Sequence, residues 1–137
     1  MATPLKKSSD LTSSSYTKAQ VVALNEHVEE DVTLLIDGTI VNCFVSFCPY
    51  QIKVGNTYDV ELTINLSDDY EVSKVDEVSR MVERTGRGYA YLLFGRLCDE
   101  MFHTFTPLSD HDLHYEHPEF NGQLIRLEVE RIDVSFQ

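Results

Sequence analysis

The stretch Asp110-His111-Asp112-Leu113-His114-Tyr115-Glu116-His117-Pro118-Glu119 is where residue types and spacing come nearest to chemistry. Three of the chain's five histidines fall in it, interleaved with carboxylates. Imidazole and carboxylate ligate zinc, nickel or non-haem iron, so one reading of the 110–119 cluster is a metal site through His111, His114 and His117. The spacing argues against it. On a helical turn His111 and His114 share a face, on a strand His111 and His117 do, and neither geometry converges three ligands unless the chain curls. The His-Glu-x-x-His signature is absent, since His114 and His117 lie three apart where a helical pair wants four. The plainer reading is a polar surface loop between two strands, whose carboxylates favour the charged imidazolium.

Other chemistry finds less support. No serine sits in a Gly-x-Ser-x-Gly context, and Cys48 beside Pro49 has no histidine partner visible in sequence. Asp68-Asp69 reads as a solvated pair, and Gly86-Arg87-Gly88 as a turn that lacks the lysine of a phosphate loop. Cys43, Cys48 and Cys98 are odd in number and read as reduced structural thiols in a cytoplasmic setting. No catalytic residue, metal ligand or cofactor is therefore assigned, and no enzyme is expected. The rings of Tyr89, Tyr91 and Phe94, with Phe102 and Phe105 across a hairpin and Arg84, Arg87 and Arg96 beside them, are what a single-strand nucleic-acid platform uses. Core packing accounts for the same rings.

The elements that would position these groups are strands. Residues 57–66 alternate strictly, Tyr58, Val60, Leu62, Ile64 and Leu66 against Asp59, Glu61, Thr63 and Asn65, after a Gly55-Asn56 turn. Val32, Leu34 and Ile36 lead to Asp37-Gly38, a type I′ hairpin pair, and residues 39–48 return as an apolar central strand that Pro49 ends. Residues 19–24 also read as a strand. Residues 88–98 and 101–106 form a second hairpin about Asp99-Glu100, with Gly95 marking a bulge or bend. In residues 123–136 the apolar phase slips near Glu130-Arg131, from Ile125, Leu127 and Val129 to Ile132, Val134 and Phe136. A bulge or sharp bend there lets one long strand serve two sides of a core. Val72, Val75, Val78 and Val82 recur at helical steps, with acids leading and Arg80 and Arg84 trailing, so residues 68–85 predict a short helix, with an extra strand as the rival.

A polar, serine-rich tail over 1–17 and a single β domain over 18–137 follow, built as a small closed or partly open OB-like barrel or a compact sandwich of six or seven strands. No apolar run reaches the length of a membrane span. Twenty-three acidic residues against eleven basic ones leave a net charge of −12, which repels phosphate backbones and suits a basic protein partner. The expected role is a binding module, such as an inhibitor of a cationic toxin of the kind bacterial immunity proteins are. Glu29-Glu30-Asp31, Asp68-Asp69 and the 110–119 segment are the candidate contact surfaces.

Overall fold

The computed structural model describes residues 16–86, 88–110 and 112–137. Most of the expected tail, together with Arg87 and His111, lies outside the described residues. The fold is mostly β, in two parts. Strands β1 (Thr17–Leu24), β2 (Asp31–Ile36) and β3 (Thr39–Phe47) form an antiparallel meander. The last strand, β11 (Arg131–Phe136), runs parallel to β3 and antiparallel to β4 (Thr57–Asn65), and β4 pairs back onto β1. The path closes as a five-stranded barrel. Its order, with the final strand inserted between the third and fourth, is that of an OB-like Greek key.

Alternation explains why these segments pair as they do. Val32, Leu34 and Ile36 point inward from β2, Val60, Leu62 and Ile64 from β4, and Ile132, Val134 and Phe136 from β11, and all are buried. Asp37 and Gly38 turn β2 into β3 with φ of 49° and 80°, the positive values a type I′ turn requires.

The chain between β4 and β11 builds a second sheet. It holds β5 (Val72–Lys74), β6 (Val82–Arg84), β7 (Tyr91–Cys98), β8 (Met101–His103), β9 (Pro107–Ser109) and β10 (Leu124–Val129). The order is β5-β10-β7-β8-β9, with β6 also on β7. A single helical turn, α1 (Leu113–Glu116), and a 3-10 turn at Pro118–Phe120 link β9 to β10. The phase slip marks the crossing between sheets: Ile125, Leu127 and Val129 are buried in the second sheet, and after Glu130 the even positions are buried in the barrel. Gly95 is required by close approach, because a Cβ there would lie 2.1 Å from the carbonyl oxygen of His103. The buried apolar residues of both sheets form one contiguous cluster.

Three expectations need correction. Residues 68–85 carry no helix; β5 pairs with β10 and β6 with β7, so the rival reading holds. Their β-branched valines fit a pleated surface better than a helix, and a sheet edge was on offer. Among the described residues the strands number eleven rather than six or seven, because four of them are only three residues long and too short to show a period. The 110–119 segment is more than a solvated loop, since Asp110 and Leu113 are buried.

Candidate functional site

The loop joining β1 to β2, residues 25–30, is held by side chains rather than by apolar burial. Asn25 folds it into an Asx turn, its Oδ1 accepting from the backbone N–H of His27 at 2.8 Å and of Val28 at 3.1 Å. Its Nδ2 donates to Asp31 Oδ2 at 3.0 Å. Asp31 Oδ1 accepts from Asn42 Nδ2 at 2.6 Å, and Asn42 Oδ1 accepts from the Arg84 guanidinium at 3.2 Å. Arg84 also donates to the carbonyl of Gly88 from Nε and Nη2. One line of hydrogen bonds thus runs from the loop across β2 and β3 into the second sheet. Each contributes about 1 kcal/mol net, and the charge-assisted ones more.

Two hollows flank this loop. On one side lies an apolar groove of about 400 Å³ walled by Leu24, Val45, Phe47, Cys48, Tyr50 and Ile52. Glu29, Glu30 and Asp31 share its lining, which contains no lysine or arginine. Phe47 in that lining stands 56% exposed, and Val28 in the loop 41%. Tyr50 makes a fixed wall, stacked on Tyr58 at 5.7 Å with its hydroxyl donating to the carbonyl of Gln137 at 2.7 Å. Burial first, then the neighbours Cys48, Tyr58 and Asp59, holds its phenol above the ordinary range. On the other side lies a polar notch of about 560 Å³, floored by Thr33 and Asn42, walled by Asn25, Glu26 and His27, and faced by Arg84. Leu24, Asn25 and Asp31 border both hollows. The notch sits on the face of the second and third strands, where OB-like barrels receive ligands.

A larger cleft of about 790 Å³ separates β1 and β4 from β8 and β9. Lys18, Asp37 and Glu61 line it with both signs of charge, and Lys18 is already paired with Asp59 at 2.5 Å.

Residues 15–137 match the model of a family described as Uncharacterised conserved protein UCP019853. The chain belongs to that family. No curated protein and no solved structure matches it. The match spans both sheets and the 25–30 loop.

The residues singled out in the sequence fall into distinct settings. The Tyr89/Tyr91 face is not an open platform. Tyr91 is buried, and its hydroxyl accepts from the backbone N–H of Asn42 at 2.8 Å. Tyr89 meets the Phe44 ring edge-on at 5.8 Å, and the Arg131 guanidinium lies 4.2 Å over that same ring. Burial, then the charges of Asp31 and Glu30, raises the Tyr89 phenol, with Arg131 and Arg84 opposing. Phe102 and Phe105 are core. Arg96 is exposed and donates to the carbonyl of Gly122.

In the 110–119 cluster the two described histidines turn to different partners. His114 Nδ1 bonds to the buried carboxylate of Asp110, while His117 Nε2 meets the Tyr70 hydroxyl at 2.9 Å. Tyr70 also donates to Glu116 Oε1 at 3.0 Å, and burial followed by that bond raises its phenol. Among the described residues no group of three His, Cys, Asp or Glu side chains is placed to hold a metal ion. Cys43 is buried, and its thiol is pushed up chiefly by that burial and then by Asp133. Asp68 and Asp69 are exposed in a turn, away from either hollow. Among the described residues of the three acidic stretches, Glu29, Glu30 and Asp31 are the carboxylates that line an apolar-walled groove. Sequence reading found those acids and missed the wall opposite, Phe47, Cys48, Tyr50 and Ile52. Only the pairing of β3 with its neighbours and the path of the following loop bring that wall to them.

Proposed function

We propose that this chain is a binding module that docks a basic protein partner on the acidic 25–31 loop and the apolar groove beside it, an inhibitor- or immunity-like role that uses no chemistry of its own. The observation that carries the reading is the lining of that groove: apolar walls, three carboxylates and no lysine or arginine. Apolar contact supplies affinity in such a surface, while opposite charge speeds encounter and selects partners. A second copy of the chain is a poor occupant, because it would bring its own Glu29 and Glu30 against these. A nucleic acid is poorer still, since a chain of net charge −12 offers its phosphates repulsion.

The experiment is a low-salt affinity capture from host lysate with the native chain and with a Glu29→Lys/Glu30→Lys variant as parallel baits. A basic protein held by the native chain, released at moderate salt and lost from the variant, is the expected result. Asp68→Lys/Asp69→Lys, the exposed control, leaves capture unchanged. Equal capture by the 29/30 variant, or nucleic acid captured in place of protein, overturns the reading.

A further inference from the structure

We infer that the partner's contact is an extended basic segment that places one bulky apolar side chain, leucine- or phenylalanine-sized, in the groove beside Phe47, with lysine or arginine on either side against Glu29 and Glu30. This rests on the docking reading above and adds the chemistry of the segment that docks. The groove is small. At about 400 Å³ it lies near the lower end of the range for ligand sites, roughly 300–1,000 Å³, which leaves room for a side chain or two. A helix, some 10–12 Å across with its side chains, would present a whole stripe of anchors where the groove takes one or two side chains.

The walls are fixed on both sides. Tyr50 is stacked and hydrogen-bonded, and the Asx turn at Asn25 with its bond to Asp31 holds the acidic wall. The groove is thus formed before its occupant arrives, and little ordering cost opposes binding. Glu29 and Glu30 are exposed, so their charge is available to flanking cations. Asp31 is spent internally, on Asn25 and Asn42.

The test titrates the isotope-labelled full chain with two capped peptides, Lys-Lys-Leu-Lys-Lys and Lys-Lys-Gly-Lys-Lys, followed by NMR. The leucine peptide should bind about tenfold tighter, the effect of burying one leucine, and shift the amides of Leu24, Val45, Phe47 and Cys48. Phe47→Ser, at an exposed position that leaves the core intact, should abolish the difference and keep the weaker, salt-sensitive binding common to both peptides. Equal affinity of the two peptides for the native chain overturns the apolar anchor and leaves the acidic docking surface standing. Absence of binding by either peptide overturns both. A dimer in sedimentation that Phe47→Ser dissolves assigns the groove to a second copy and overturns the proposal as well.

Discussion

Asn42 ties three parts of the molecule together from a single position on β3. Its Nδ2 holds Asp31 and so the acidic loop, its Oδ1 receives Arg84 from β6, and its backbone N–H is capped by the Tyr91 hydroxyl from β7. That last bond is the one a barrel strand needs where no neighbouring strand supplies an acceptor. Tyr91→Phe keeps the ring and removes the acceptor, leaving a buried N–H unpaired at a cost of about 1–3 kcal/mol. A urea midpoint that falls with an unchanged m-value is the expected reading, with faster amide exchange in residues 25–31 as the bond line slackens. No loss of stability would mean that water replaces the hydroxyl. The position of Tyr91 in an alternating aromatic run was legible in the sequence; which face it served was not. Tyr89 lies in a bend before β7 and Tyr91 opens the strand, while their two-residue spacing in the sequence is what a platform and a core both ask for.

At the scale of elements, what was legible divides by length. β2 and β4, six and nine residues long, bury one face, so their period and the Asp37-Gly38 turn could be read directly, and β3, with Val41, Asn42 and Cys43 all buried, was legible as a central strand from its apolar run. β5, β6, β8 and β9 have three residues each, and three residues carry no period. The β7–β8 turn shows a related compromise. Asp99 and Glu100 occupy it with φ of 55° and 63°, left-handed values that cost an L side chain about 1–2 kcal/mol each and glycine almost nothing. Glu100→Gly should therefore raise stability, by about 0.5–1 kcal/mol after the greater freedom of the unfolded glycine is counted. Thermal melts of the variant against the native chain measure this; an unchanged or lower midpoint would show that the Glu100 side chain makes up the strain elsewhere.

On the scale of the whole molecule, the candidate site grows out of the β2–β3 hairpin and the loop that follows it. Asp31 stands opposite Phe44 and the backbone N–H of Val45 donates to the carbonyl of Glu30 at 2.7 Å, so strand pairing sets the acids beside the apolar residues at and beyond the end of β3. The second sheet is bound to the barrel through the last two strands. β10 runs into β11 across Glu130 alone, whose N–H donates to Asn65 on β4, and the buried residues of both sheets form one cluster. A chain organised this way has no seam along which one sheet can open while the other stays packed. Native-state hydrogen exchange should then give the same opening free energy for the core amides of β2 in the barrel and β7 in the second sheet, equal to the global value from urea. If β7 instead exchanged at a distinctly lower free energy, the second sheet would be a separable unit resting on a self-sufficient barrel. The line from Tyr91 through Asn42 to the acidic loop would then open with it, and the proposed docking surface would lose its fixed wall before the barrel itself unfolded.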